Sequence, residues 1–265
     1  MSGKVIRMRR IFNPADNRAC IIAIDHTQFM GPVGPLGNPE KAVAAVTSSG
    51  PDALLISAGM LRHGVKALPR NVGTVLRIDG NGTTLGDFEA SGNALYRDVE
   101  SALRLGADAV VIMLYVGFER EAELLKEAAR VAEQCDRWGM PVMMEVWPKG
   151  PGIKRSDDPE AIRIGCRVAS ELGADIVKTF YTGSIESFRE VTSGCPVPVV
   201  VLGGAQKDDV KQVFTLIHDA LQAGASGVAM GRNVWGISNV TRMVQAVKGL
   251  IHEGWGVKQA LTHLG

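Results

Sequence analysis

The residues best placed by type and spacing to do covalent chemistry centre on DIVKTFYTG, Asp175 to Gly183. This apolar β-type run carries one lysine, Lys178, and closes in a small polar turn. A lysine inside such a run loses hydration on burial, so it needs a partner, a lowered pKa or a chemical role. Held in an apolar mouth and flanked by other cations, it would have its pKa pushed down, and the neutral amine could attack a carbonyl to form a Schiff base. The protonated imine would then act as an electron sink for the carbanion left when a carbon–carbon bond breaks. The plain structural alternative is a buried salt bridge to Asp25 or Glu145.

Proton transfer between substrate hydroxyl, carbinolamine and imine calls for a nearby carboxylate, and Asp25, closing the run CIIAIDH, is the leading candidate. Its neighbour His26 could polarise a carbonyl, although a histidine ending a strand more often hydrogen-bonds a loop. The other ionisable groups at the ends of apolar runs are Arg77 and Asp79, Glu145 with Lys149 just beyond it, Tyr181 and Arg232. Arg77 and Asp79 could simply pair with each other. Two late runs end in Gly203-Gly204 and Gly231-Arg232. Glycines there let backbone N–H groups approach an anion, a following helix N-terminus adds a favourable dipole, and Arg232 can add a bidentate bond, so together they predict a phosphate site.

These residues must be positioned by a repeating scaffold. Short apolar runs recur at Cys20 to His26, Ala53 to Ala58, Gly73 to Asp79, Ala109 to Leu114, Pro141 to Trp147, Asp175 to Tyr181, Val197 to Gly204 and Gly227 to Arg232. Helix-length segments with apolar residues at three- and four-residue spacing lie between them. Asp158-Pro159-Glu160 is an N-cap with proline at the first helical position, and that helix ends at Leu172-Gly173. Val210, Val213, Phe214, Ile217 and Leu221 form one stripe, and a final helix runs from about Asn239 to His252. The joints LGAD (105–108), LGAD (172–175) and AGAS (223–226) each lead straight into a strand. Eight such units predict one domain over residues 1–265, a (β/α)₈ TIM barrel of about the usual 250 residues. An open doubly wound sheet would usually have fewer strands and GxGxxG after the first, where this chain has Asp25-His26. In a barrel, the Gly/Pro-rich stretches Gly31 to Asn38 and Asp79 to Gly86 fall on the catalytic rim.

Composition narrows the function classes. Apolar residues make up 46% and aromatics 5%, which suits a Val-, Ile-, Leu- and Ala-built sheet covered by helices. A formal net charge of +1 with intermixed signs leaves no broad basic field, so neither nucleic acid nor membrane is expected as a partner. The basic cluster Lys4, Arg7, Arg9 and Arg10 lacks the continuation of a targeting peptide and is read as a solvated or interface-facing segment. No apolar run approaches about 18 residues and no secretory h-region is present, so a cytoplasmic location is expected. Cys20, Cys135, Cys166 and Cys195 are widely separated and the histidines lack ligand spacing. Reduced cysteines, no metal and no cofactor follow as expectations.

The blocks AIDHTQFMGPVGPLGNPE, GADAVVIMLYVGFE, PKGPGIK, ELGADIVKTFYTGSIESFREV, VPVVVLGGAQ and AGASGVAMGRNVW occur in this order from about Asp25 to Trp235. Together they resemble the class I aldolase family of archaeal-type fructose-bisphosphate aldolase, aminodideoxyheptulosonate synthase and the autoinducer-processing thiolase, related to deoxyribose-phosphate aldolase. The resemblance implies a Schiff base on Lys178, proton transfer by Asp25, and a substrate phosphate held by Gly203, Gly204, Gly231 and Arg232. It also implies a homo-oligomer, up to the family's ten-subunit rings. The chain departs from the family on the fifth strand, where a tyrosine before Pro-Arg-Gly usually serves as acid/base. Here the residues are Glu145-Val146-Trp147-Pro148-Lys149-Gly150. Tryptophan donates no acidic proton, so either Glu145, on the same face by strand alternation, takes the role, or the reaction differs. An ion pair of Glu145 with Lys178 or Arg77 is the structural alternative. Lys149 replaces the family arginine and could meet a distal phosphate or carboxylate as a point charge. Thr27 stands where the family usually has glycine. The departures point away from fructose bisphosphate but leave the imine chemistry in place. The expected activity is cleavage or formation of a carbon–carbon bond in a phosphorylated ketose or with dihydroxyacetone phosphate, with His26, Trp147, Lys149 and Tyr181 as further substrate contacts. The alternatives are acyl or ketol transfer on the same scaffold, or a non-covalent sugar-phosphate isomerase or binding barrel.

Overall fold

A computed structural model describes residues 2–86, 92–207 and 209–265. Eight strands, β1 (Ala19–Ala23), β2 (Ala53–Ser57), β3 (Gly73–Arg77), β4 (Ala109–Val116), β5 (Val142–Pro148), β6 (Ile176–Thr179), β7 (Val199–Leu202) and β8 (Gly227–Met230), form a closed barrel. Each pairs in parallel with its sequence neighbours, and β8 closes on β1 with Ala19 opposite Gly227. This is the (β/α)₈ barrel that the alternating runs predict. Helices intervene throughout, the longest being Glu121–Trp138, and Asp158 caps Pro159–Glu171 by accepting from the Ala161 N–H at 2.9 Å. In the two LGAD joints, Gly106 and Gly173 take φ of +78° and +99°, a conformation that side chains disfavour and that turns the chain from helix into strand.

Alternation along the strands sorts the core into two shells. Leu54, Leu76, Val110, Val142, Val177 and Val228 face outward into the layer beneath the helices. Ile21, Leu55, Val75, Val111, Met143, Ile176 and Val200 fill the barrel interior, where Ile11 and Phe12 join them. One step further along the same inner faces, the apolar residues give way to Arg77 after Val75, Glu145 after Met143 and Lys178 after Ile176. The charged residues are thus the top layer of an otherwise dry interior.

Three strands begin in the same way at the opposite end. Asp52, Asp108 and Asp175 each precede a strand and accept an N–H from the first or second residue of the strand before it, from Cys20 at 2.6 Å, Thr74 at 3.0 Å and Val142 at 2.9 Å. Part of the N-terminal basic cluster docks on two of these acids, so Lys4 and Arg7 are half-buried rather than fully solvated, while Arg9 and Arg10 stay exposed. From the helix Ser2–Met8, Lys4 reaches Asp175 at 2.7 Å and Asp136 at 2.6 Å; beyond it, Arg10 reaches Asp108 at 2.8 Å. Arg7 donates to the Ala107 carbonyl at 3.2 Å. The helix Val257–Leu264 lies beyond the last helix read from the sequence, and the third apolar run breaks after Arg77, so that Asp79–Gly80 pairs antiparallel with Ala94–Leu95. No helix among the described residues is long and apolar enough to cross a membrane, and none of their His, Cys, Asp and Glu side chains cluster in threes to hold a metal.

The same end carries a titratable clamp. His252 lies between Asp16 (Nδ1 to Oδ2, 2.7 Å) and Asp52 (Nε2 to Oδ2, 2.9 Å). Burial alone would lower its pKa, but the two carboxylates outweigh that and raise it. The clamp's contribution to stability is therefore fully present below the unfolded histidine pKa of about 6.5 and is lost as pH rises through the higher folded value. Thermal melting across this range should fall more steeply with rising pH in the wild type than in His252→Gln, with the two curves converging at alkaline pH.

Candidate active site

At the carboxyl ends of the strands opens a cavity of about 350 Å³. Asp25, His26, Glu145, Trp147, Lys149, Lys178, Gly203, Gly204, Gly231 and Arg232 all line it, so one wall or another holds ten of the residues singled out in the sequence. Tyr181 is the exception and is not among the lining residues. The strand ends at Thr179, and the Tyr181 ring packs edge-on against Phe188, with centroids 5.4 Å apart. Burial pushes its phenol up to about 12. Tyr181, expected as a substrate contact, thus lies outside the cavity lining and packs under the helix that follows.

The floor is a chain of buried charges. Lys178 Nζ lies 2.7 Å from Glu145 Oε1, and the other oxygen, Oε2, accepts a short hydrogen bond from Arg77 Nη2. Arg77 Nε donates to Asp25 Oδ2 at 3.0 Å and its Nη1 to Asp79 Oδ1 at 3.3 Å. Strand register makes the first contact unavoidable, because Glu145 on β5 sits directly opposite Lys178 on β6. Burial alone would raise the Glu145 carboxyl, but the Lys178 and Arg77 charges and hydrogen bonds outweigh it and hold it down to about 2. Asp79 goes the other way. Its burial pushes the pKa up, only partly offset by Arg77, the Met113 N–H and Asn93. The picture of Lys178 flanked chiefly by cations is therefore corrected to an ammonium paired with a carboxylate, Arg77 being the cation beyond it. Both ionic alternatives for Glu145, to Lys178 and to Arg77, are realised at once.

Among the described residues His26 makes no side-chain hydrogen bond to a loop. Its buried Nδ1 has no hydrogen-bond partner and lies 3.5 Å from Asp25 Oδ1, while the ring packs against Phe29 and Trp235 at 5.6 and 5.2 Å. Burial lowers its pKa, with the Asp25 charge opposing and the Lys178 and Arg232 charges assisting, so the ring is held neutral. Trp147 donates its indole N–H to Ser156 at 3.1 Å and stacks edge-on against Phe180. The Lys149 ammonium lies over the Tyr115 ring, 4.9 Å from its centroid.

On the opposite wall, Asn233 staples the two glycine-bearing loops together. Its Nδ2 donates to the Gly203 and Ala205 carbonyls at 2.8 and 3.1 Å, and its Oδ1 accepts from the Lys207 N–H at 2.8 Å. Arg232 keeps a buried Nε without a hydrogen-bond partner among the described residues. Asn233 was not foreseen as a site residue, and neither was Tyr115, whose hydroxyl accepts from Asn81 at 3.1 Å. Tyr115 was findable, since it lies two residues beyond Met113 on the inner face; the reach of Asn233 depends on loop geometry that spacing does not encode.

A parallel barrel with a buried lysine at its carboxyl end, paired to a carboxylate, is an arrangement that suits a Schiff-base aldolase. The description "DeoC/LacD family aldolase" matches residues 19–236, and the chain belongs to that family. Among curated relatives, 2-amino-4,5-dihydroxy-6-oxo-7-(phosphonooxy)heptanoate synthase of Streptomyces griseus is 34% identical over 247 residues, covering 93% of this chain and 89% of that protein. The 3-hydroxy-5-phosphonooxypentane-2,4-dione thiolase of Klebsiella pneumoniae is 34% identical over 258 residues, covering 97% and 84%. Among solved structures, an archaeal fructose 1,6-bisphosphate aldolase superposes with a TM-score of 0.84 at 28% identity, covering 95% of this chain and 100% of that one. A structure of such an aldolase with its catalytic lysine covalently bound to a carbinolamine intermediate gives 0.85 at 27% identity, covering 94% and 99%.

A Cβ added at Gly231 would strike His26 Cε1 and lie 2.7 Å from the Ala23 carbonyl oxygen, which is backbone and cannot swing away. Gly231→Ala is expected to lose about 1–3 kcal/mol of stability, read as a lower urea midpoint, and to weaken inorganic phosphate binding in the same variant.

Proposed function

We propose that Lys178 forms the imine in this chain, with a phosphorylated ketone such as dihydroxyacetone phosphate or a phosphorylated ketose, and that the enzyme makes or breaks the bond between the α- and β-carbons. The single observation that carries this reading is Lys178 Nζ buried in the cavity floor 2.7 Å from Glu145 Oε1. Attack on the carbonyl requires the ammonium to surrender a proton, and the nearest acceptor is that carboxylate. Glu145 is held low by two cations. When Lys178 loses its charge one of them vanishes, so the proton affinity of Glu145 rises in the state that needs it.

The steps then follow from the residues in reach. Lys178 adds to the ketone carbon to give a carbinolamine; a carboxylic acid returns the proton to its hydroxyl, water leaves, and the iminium stays paired with Glu145. Asp25 takes the proton of the hydroxyl on the β-carbon, the bond between the α- and β-carbons breaks, and its electron pair enters the iminium to give an enamine and an aldehyde. Reprotonation and hydrolysis free the lysine. The phosphate is assigned to the wall of Gly203, Gly204, Gly231 and Arg232. The buried, unpartnered Arg232 Nε and the phosphonooxy groups in the names of both relatives support that placement.

Transfer to an acceptor other than a simple aldehyde is the second reading. It is favoured by Trp147, whose indole is bound to Ser156 where an acid would be wanted, and by relatives named as a synthase and a thiolase.

Incubation with dihydroxyacetone phosphate followed by borohydride should add the reduced ketone to the peptide containing Lys178, with none on Lys178→Met. Absence of any adduct with phosphorylated ketones would sink the imine. Glu145→Gln should slow trapping by about 100-fold, and full turnover in that variant would remove Glu145 from proton transfer. Exchange of the donor among acceptor aldehydes separates cleavage from transfer.

A further inference from the structure

Arg77 has no role in the scheme above, yet it is the hub of the charge network. It is buried, and its three nitrogens donate to three different carboxylates: Nε to Asp25 at 3.0 Å, Nη1 to Asp79 at 3.3 Å and Nη2 to Glu145. Two of these are the carboxylates to which the proposed chemistry gives different tasks. Carboxylates crowded in one dry site tend to share a proton, which would blur those tasks. A planar guanidinium spans them with fixed donor directions, whereas a lysine ammonium is a single point charge.

We infer that Arg77 is a positioning residue that keeps Glu145 and Asp25 as two separate, oriented carboxylates, Glu145 as counter-ion of Lys178 and its iminium, Asp25 as the carrier of the substrate proton. The inference rests on Lys178 being the imine-forming residue. The topology supports it: Lys178 reaches Glu145 from the neighbouring strand β6 and Arg77 reaches it from β3, across β4, each taking one of its two oxygens. Counting every strand end around the cluster, the facing charges are Asp25 from the turn after β1, Arg77 and Asp79 from β3 and the segment beyond it, Glu145 and Lys149 from β5 and its end, Lys178 from β6 and Arg232 after β8. His26, in the same turn as Asp25, is neutral by burial. Removing Arg77 takes away the cation that Glu145, Asp25 and Asp79 share, and leaves Lys178 as the one cation paired with Glu145.

The test is the pH dependence of borohydride trapping with dihydroxyacetone phosphate in wild type, Arg77→Gln and Arg77→Lys, with melting temperature measured alongside. In Arg77→Gln, the acid limb of the trapping rate should move up by about one pH unit or more. In Arg77→Lys, the charge remains and the limb should stay near the wild-type position, but the plateau rate should fall by about tenfold because one ammonium cannot hold both carboxylates. An unmoved limb in folded Arg77→Gln overturns the inference, as does an equal, pH-independent loss in both variants, which a merely structural role would give. If Arg77→Gln does not fold, Arg77→Lys decides alone: a wild-type plateau overturns the inference, and a lowered plateau with an unmoved limb supports it. A wild type that forms no adduct defeats the imine proposal itself, a result distinguishable from all of these.

Discussion

The arrangement of the site depends on one carboxylate held between two cations. Glu145 shares its oxygens between Lys178 and Arg77 with all three buried, and none of the three would be tolerable there alone. Such networks are poor sources of stability, because desolvating each ion costs about as much as the pairing returns. Well-packed apolar residues would serve the barrel as well or better. Ionic groups at the level where Val75, Met143 and Ile176 leave off therefore point to function, and the apolar interior beneath them makes the arrangement sustainable.

Position in the chain follows from strand alternation and barrel closure. Lys178, Glu145 and Arg77 each lie two residues beyond an inward-facing apolar residue, so a one-residue slip in any strand would turn the group into the layer under the helices. The opposite end guards against that slip. Asp52, Asp108 and Asp175 each pin the start of the strand before their own, and the N-terminal cations tie down two of these acids. The two ends divide the work, one fixing register and the other using it.

Much of this was legible in the residues themselves. The eight apolar runs, the capping at Asp158 and the LGAD joints suffice for the barrel, and Lys178 declares itself as a charge in an apolar run. What the linear pattern could not supply is pairing. Arg77 looked like a partner for Asp79 because they are two residues apart, whereas its closer bonds cross the barrel to Asp25 and Glu145, 52 and 68 positions away. Tyr181 was misplaced because the strand ends before it, and alternation stops being a guide there. The ion pairs of Lys4 and Arg10 are invisible in the linear pattern because their acidic partners lie about 100 residues or more along the chain.

The most direct test of the central claim, that the ketone carbonyl becomes an imine on Lys178, follows the carbonyl oxygen. Dihydroxyacetone phosphate labelled with ¹⁸O at C2 is incubated with the enzyme without acceptor, and loss of label to water is measured by mass spectrometry. Imine formation expels that oxygen and hydrolysis replaces it from solvent, so the wild type should wash out the label far faster than buffer, and Lys178→Met should not. Turnover of substrate with the label fully retained would contradict a covalent route through Lys178.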